Sequence, residues 1–275
     1  MSRVAGVEPT DLVVHSVGTA QSEILDFLKA QGARITTIEP FDSRSPHCNK
    51  ISGALRLAAM GVDGLAILSD ADVVVLEDPR TLSCPSTSVA SKLVDNEHPP
   101  LRILTSVFEK ADVELPALVP LEWYPSKSTI AGNGNGGLYL VPGGILGDVA
   151  RAWDHWARWL LEHMDLLARA TLFLDQIAMT LALASEGIGA HALDSRWNFP
   201  SHRRQKMPSD PPVPAVIHYH ENVSPAGLLI RTGFGAVDKR IDMANAAITE
   251  TWRDLFPNAT FWEWRSTNSD RGSGS

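Results

Sequence analysis

The stretch Gly64-Leu65-Ala66-Ile67-Leu68-Ser69-Asp70-Ala71-Asp72-Val73-Val74-Val75-Leu76 constrains this chain more than any other. A short, uninterrupted apolar run bounded by glycine suits a strand buried on both faces of a mainly parallel sheet. Open α/β sheets keep their sites at the carboxyl ends of such strands, and this one ends in two aspartates. Two carboxylates there are costly unless something positive neutralises them. A hard divalent cation is the natural partner, because it accepts oxygen ligands and can also hold a phosphate. The competing reading of a bare Asp-x-Asp is a turn.

The order of elements around this strand predicts an α/β fold. Asp11–Gly18 reads as a first strand ending in a glycine turn, and 21–31 as a helix with Ile24, Leu25, Phe27 and Leu28 at helical spacing. Arg34–Ile38 is a second strand and Lys50–Met60 a second helix. This β-α-β-α-β order predicts parallel strands joined by right-handed crossovers. Leu82–Ala131, rich in Pro, Ser and Thr with one helix near Leu101–Ala111, reads as an excursion from the sheet. Leu138–Pro142 is a strand, and 148–163 and 166–185 are helices, the first with a Trp153, Trp156, Leu160 stripe that belongs in a core. Ile188–Leu193 and Val216–His220 are strands, the latter with His218 and His220 on one side. A helix over 237–256 closes the fold; the Ser, Asn, Asp and Gly of the tail from Ser266 suit a flexible end. We expect one domain over 1–265 and a tail over 266–275.

Composition bounds the function. The 275 residues carry a formal net charge of -8, which argues against nucleic acid as a main partner. An anionic substrate remains compatible, since a bound cation and a few basic residues would invert the local field. Cys48 and Cys84 lack CxxC spacing and read as reduced thiols of a cytoplasmic protein, a single disulfide between them being the alternative. No apolar run approaches the roughly 18 residues of a membrane span, and no signal-peptide core opens the chain.

Chemistry-bearing residues recur in order: Asn49-Lys50, Asp70-x-Asp72, Asn135-Gly136-Gly137, Asp175-Gln176 and His218. A strand-end histidine after two strand-end aspartates supplies ligands for an octahedral cation, and its imidazole tilts the choice from Mg²⁺ toward Mn²⁺. The competing role for His218 is a hydrogen-bonded core histidine. Asp175 falls inside an apolar helical run and needs a partner there, structural or substrate-facing. Asn135-Gly136-Gly137 allows the backbone to approach a ligand closely, or simply to turn.

Taken together these segments resemble the GT-A glycosyltransferases, most of all the retaining enzymes of the glycogenin and galactosyltransferase type (family 8-like). Ser69-Asp70-Ala71-Asp72 stands where that pattern has its DxD motif, and Asn135-Gly136-Gly137-Leu138 where it has an Asn-x-Gly strand. Trp197-Asn198 and Val216-Ile217-His218-Tyr219 match its later segments, whereas the Lys-Pro-Trp that often follows is replaced by His220-Glu221-Asn222-Val223. The resemblance spans roughly residues 11–235. It implies a GT-A fold with a mostly parallel central sheet, and transfer from a UDP- or GDP-sugar to a hydroxyl acceptor, a saccharide, with retention. It implies Mn²⁺ or Mg²⁺ held by Asp70, Asp72 and His218 or His220. It places Val17, Gly18, Asn49, Lys50, Ser69, Ala71, Asn135 and Gly136 at the donor, and Asp175 and Gln176 at the transferred sugar. Lys50, with Arg44 or the Arg203-Arg204-Lys206 loop, would face the phosphates. Trp123, Tyr124, Trp197 and Asn198 would meet the acceptor. A homodimer is compatible with all of this.

A haloacid-dehalogenase-type phosphatase with Asp70 as nucleophile shares the Asp-x-Asp strand. Here, however, two βα units precede it, and the downstream Gly147-Asp148 lacks the expected second aspartate. A sugar nucleotidyltransferase needs a Gly-rich basic signature after the first strand, which Gly18-Thr19-Ala20-Gln21 does not provide. A non-catalytic binding module is the third alternative.

Overall fold

The computed structural model describes residues 2–18 and 22–255. In chain order they form α1 (Ser2–Ala5), β1 (Val13–Val17), α2 (Ser22–Ala30), β2 (Arg34–Ile38), α3 (Asn49–Met60), β3 (Leu65–Ser69), β4 (Val73–Val75) and β5 (Ser88–Lys92). Then come α4 (Leu101–Ala111), β6 (Leu118–Pro120), β7 (Ser128–Ile130), β8 (Leu138–Pro142), α5 (Gly143–Glu162) and α6 (Leu174–Ser185). The chain closes through β9 (Gly189–Leu193), β10 (Phe199–Pro200), β11 (Val216–His218) and α7 (Gly235–Leu255). The tail expected to be flexible lies outside the described residues.

The architecture is α/β, but the central sheet is mixed rather than mostly parallel. Its strand order is β3-β8-β5-β9. β8 runs antiparallel to β3, with Leu65 opposite Pro142 and Ser69 opposite Leu138. β5 is antiparallel to β8 and parallel to β9. The reason lies in the chain's path: after leaving β3 it returns to the carboxyl end of that strand, so β8 starts where β3 stops. An apolar run buried on both faces reads the same in either direction, so the pattern did not reveal this. β1 and β2 do pair in parallel, Val13 opposite Arg34. A smaller sheet joins β10, β11 and β4, with β11 antiparallel to β4 and His218 opposite Val73.

Leu82–Ala131 is not wholly an excursion, because β5 is a strand of the central sheet. Its sequence, Ser88-Val89-Ala90-Ser91-Lys92, is short and half polar, yet every residue from Val89 onward is buried. The helix expected over 166–185 starts at Leu174, because Ala168 adopts a left-handed φ of 49° that interrupts the run. The helix expected from Asp148 begins at Gly143.

The main core lies between the sheet and α3, α4, α5 and α6. α5 buries Leu146, Val149, Trp153, Trp156 and Leu160 at three- and four-residue spacing, which places the tryptophan stripe in the core as expected. The Trp153 indole N–H also donates to the Asp175 carbonyl at 2.8 Å, tying α5 to the first turn of α6. Among the described residues no helix is long and apolar enough to cross a membrane. Cys48 and Cys84 are not joined to each other.

Candidate active site

The Asp-x-Asp segment sits at the carboxyl end of β3, as expected, but its two carboxylates part company. Asp70 follows β3 directly, Ala71 and Asp72 form a turn, and β4 begins at Val73. That turn breaks the extended backbone, so the aspartates meet different partners.

Asp70 joins a cationic centre. Its Oδ1 lies 2.5 Å from Lys50 Nζ, and the same ammonium is 3.0 Å from Asp175 Oδ2 and donates to the Gly136 carbonyl at 3.1 Å. Lys50 reaches this point from the first turn of α3, and Asp175 from the first turn of α6. Asp175 is buried, with a side chain 5% exposed. Burial opposes the charge on Lys50, but the carboxylates of Asp175 and Asp70 outweigh it and hold the ammonium above the ordinary lysine range. Gln176 turns the other way, its Oε1 accepting from the Gly136 N–H at 2.9 Å.

The Asn135-Gly136-Gly137 turn enters this centre because β8 is antiparallel to β3. The Asp70 N–H donates to the Gly137 carbonyl at 3.2 Å. A Cβ on Gly136 would sit 3.1 Å from both Asp175 Oδ2 and Lys50 Nζ, and one on Gly137 would overlap the His218 ring. Glycine is required here by close approach.

Asp72 belongs to a second cluster. Pairing of β11 with β4 carries His218 beside it, Nε2 to Oδ2 3.2 Å, and the Tyr219 N–H donates to the Asp72 carbonyl at 3.1 Å. His220 then adopts a left-handed φ of 49° and brings Nδ1 to 3.6 Å from Asp72 Oδ2. A positive φ on a non-glycine residue is uncommon and costs energy. The two imidazoles stack at 3.7 Å, and His202 packs edge-on to His220 at 4.1 Å. Ligand atoms of Asp72, His218 and His220 all lie within 4.8 Å of one another. Burial, then the neighbouring imidazoles, lowers the His220 pKa to about 4, which keeps it neutral, as a ligand must be. Burial works against the Asp72 charge, but the bond to His218 and the nearby His220 hold its carboxyl below the usual range.

A hydrogen-bond chain fixes the orientation of His218. Gly137 N–H donates to Asn135 Oδ1 at 3.0 Å, and Asn198 Nδ2 donates to the same oxygen at 3.1 Å. With its amide so directed, Asn198 presents Oδ1 to His218 Nδ1 at 2.9 Å, which assigns the proton to Nδ1. Nε2 faces the Asp72 carboxylate, where either a second proton donated to Asp72 or a cation bridges the two. The donor set therefore fits a metal ion.

Other expected residues fall elsewhere. Asn49 accepts the Phe41 N–H through its amide oxygen at 2.8 Å. Arg44 is bound to Asp42 and to the Leu161 carbonyl, away from the cluster. Trp197 is buried in the core with Val75 and Leu138 and has no face to offer an acceptor. Tyr124 donates its hydroxyl to the Lys206 carbonyl. Val17 ends β1 and Gly18 follows it at φ 68°, and Ser69 and Ala71 are exposed beside the aspartates. Sequence reasoning missed Lys92 and Asp95, a buried ion pair whose ammonium also donates to the Asn198 carbonyl at 3.0 Å. A lysine closing the strand Val89-Ala90-Ser91-Lys92 was the available signal, because an ammonium ending so short and buried a strand needs a carboxylate.

The chain is similar to solved structures of sugar-transferring enzymes. The galactosyltransferase LgtC, solved with donor and acceptor sugar analogues, matches with 17% identity over 88% of each chain at a TM-score of 0.52. Mouse xyloside xylosyltransferase 1, in its apo form, matches with 14% identity over 80% of this chain and 88% of that one, at 0.45. The likeness to LgtC carries the fold, the GT-A architecture. No curated protein matches the sequence significantly. Residues 1–187 match the Rhodobacterales glycosyltransferase domain family.

Proposed function

We propose that this chain, which belongs to the Rhodobacterales glycosyltransferase domain family and is therefore a transferase, moves a sugar from a nucleoside-diphosphate sugar to a hydroxyl acceptor in a metal-dependent, retaining reaction. The observation that carries the metal dependence is the convergence of Asp72, His218 and His220 at the carboxyl end of β3. Mn²⁺ or Mg²⁺, held by these three residues, would supply Lewis-acid charge for the leaving diphosphate. The paired imidazoles favour Mn²⁺. Asp70, expected among the ligands, lies outside this group and pairs with Lys50.

The chain's own residues have distinct tasks in this reading. Lys50, held by two carboxylates and the Gly136 carbonyl, is a fixed positive charge beside the Asn135-Gly136-Gly137 turn. The Arg203-Arg204-Lys206 loop follows His202, which touches His220, and adds positive charge near the diphosphate. Val17 and Gly18 lie with the nucleoside, UDP- or GDP-linked. Asp175 faces the transferred sugar and stabilises the oxocarbenium-like transition state, while Gln176 holds the turn beneath it. Residues 1–265 act as one GT-A domain in the cytoplasm. The family match and the fold do not favour the phosphatase reading.

The test is turnover of UDP- and GDP-sugars with and without Mn²⁺, read by release of nucleoside diphosphate, with NMR of the product anomer. Asp175→Asn should lower kcat far more than it weakens donor binding, since its stabilisation is felt mainly in the transition state. Metal-independent turnover, or an inverted product, would contradict the corresponding part of the proposal.

A further inference from the structure

A cavity of about 350 Å³ opens where the ends of β5 and β9 meet the Pro120–Trp123 segment. We infer that it takes the acceptor of the proposed transferase as an uncharged pyranosyl unit, with Trp123 as stacking surface and Glu122 receiving its hydroxyls. The inference rests on the transferase reading above and adds the acceptor's chemistry to it.

Trp123 lines the cavity with its ring held in place. Its indole N–H donates to Ser195 Oγ at 3.1 Å, its ring packs steeply against Phe199 with centroids 5.8 Å apart, and Lys92 Nζ lies 5.9 Å from the ring centroid. A fixed aromatic ring binds the C–H face of a sugar at small entropic cost, because little is left to order. Ser195 in turn donates to Glu122 Oε1 at 2.6 Å, which positions the carboxylate on the cavity wall. Part of the remaining wall is the apolar side chain of Leu193. An aromatic plane, an apolar wall and an oriented hydrogen-bond acceptor suit a pyranose, whose faces are apolar and whose rim is hydroxylated.

Charge selects among sugars. The lining holds the carboxylates of Asp95, Glu122 and Asp194 against one ammonium, Lys92, which is itself paired with Asp95 and the Asn198 carbonyl. Arg203 also lies 3.8 Å from Asp95, so both nearby cations are paired there and a uronate or phosphorylated sugar would meet the carboxylates of Glu122 and Asp194. Position supports the role as well. Asn198 accepts from Lys92 at the cavity through its carbonyl, and its side-chain oxygen lies 2.9 Å from His218. One residue therefore separates the cavity from the Asp72 cluster.

Saturation-transfer NMR on the intact protein, with UDP and Mg²⁺ present, tests this using methyl galactoside, methyl glucoside and methyl glucuronide. We expect one of the neutral glycosides to bind through its C–H protons at least about tenfold more tightly than the glucuronide. Trp123→Ala should abolish that signal and Trp123→Phe keep part of it. Glu122→Lys, at an exposed position, should reverse the preference toward the glucuronide. Equal or tighter glucuronide binding by the unmodified protein, signals untouched by Trp123→Ala, or no binding of either neutral glycoside would overturn the inference. Metal-dependent hydrolysis of the donor without any acceptor reports on the transferase reading separately, so the two fail independently.

Discussion

At the scale of single residues, Asp72, His218 and His220 converge at one point, and Asn198 sets the ring that makes this possible. Asn198→Ala removes the acceptor that keeps the His218 proton on Nδ1. Outer-shell partners of this kind typically contribute 10–100-fold to metal affinity, so Mn²⁺ binding should weaken by about that factor in calorimetry. Asp72→Asn should lose more, and retained Mn²⁺ affinity in both variants would place the ion elsewhere. Lys50 has a structural weight of its own. Replacing it by Met leaves the buried Asp175 carboxylate without its cation, a loss of about 3 kcal/mol in urea unfolding. Adding Asp175→Asn should recover part of that loss, because the two residues are directly coupled. Lys50 titrates above its ordinary range, so its contribution is fully present below about pH 10 and fades only as pH rises through the raised value. Asp72, His218, Lys50 and Asp175 were legible as charged or titratable residues at strand ends and helix starts. The separate fate of Asp70 was not, since a single turn residue decides which way each carboxylate faces. Trp197 misled for a related reason: a Trp-Asn pair after a strand does not say which of the two is buried.

Among the elements, β8 decides the site. Its antiparallel pairing with β3 delivers Asn135-Gly136-Gly137 to Asp70, Lys50 and Asp175 on one side and to His218 on the other. Gly137→Ala is therefore more damaging than a methyl in a turn would ordinarily be. The added carbon meets the His218 ring, which must shift away from Asp72 or force β8 to move. Strain of this kind costs about 1–3 kcal/mol, and Mn²⁺ affinity should fall together with stability. If both stayed at the level of the unsubstituted protein, the tight approach would be wrong. The strands and most helices were readable from apolar runs and 3.6-residue spacing, whereas strand direction was not, because it depends on where the chain returns. β5 escaped notice for the opposite reason, its small polar residues lacking the apolar signature of a central strand.

For the molecule as a whole, order along the chain was the informative quantity. Each segment, from Asn49-Lys50 to His218, is weak alone, but the sequence in which they occur matches the way the fold folds back on one edge of the sheet. What order could not reveal is the division of the edge into two linked centres, Lys50 with Asp70 and Asp175, and Asp72 with the histidines. That division makes a prediction about the intact protein. If the proposed function holds, a nucleoside diphosphate would engage both centres, the fixed ammonium and the metal, so either one alone should bind it weakly. UDP or GDP with Mn²⁺ at a hundredfold excess over Kd should stabilise the fold by about 2.7 kcal/mol, and raise Tm by roughly 5–10 °C. Nucleotide without Mn²⁺, or Mn²⁺ with Asp72→Asn, should give a small fraction of that shift in differential scanning fluorimetry. A full shift from the nucleotide alone would show that the basic residues suffice, and that the Asp72 cluster serves some other purpose.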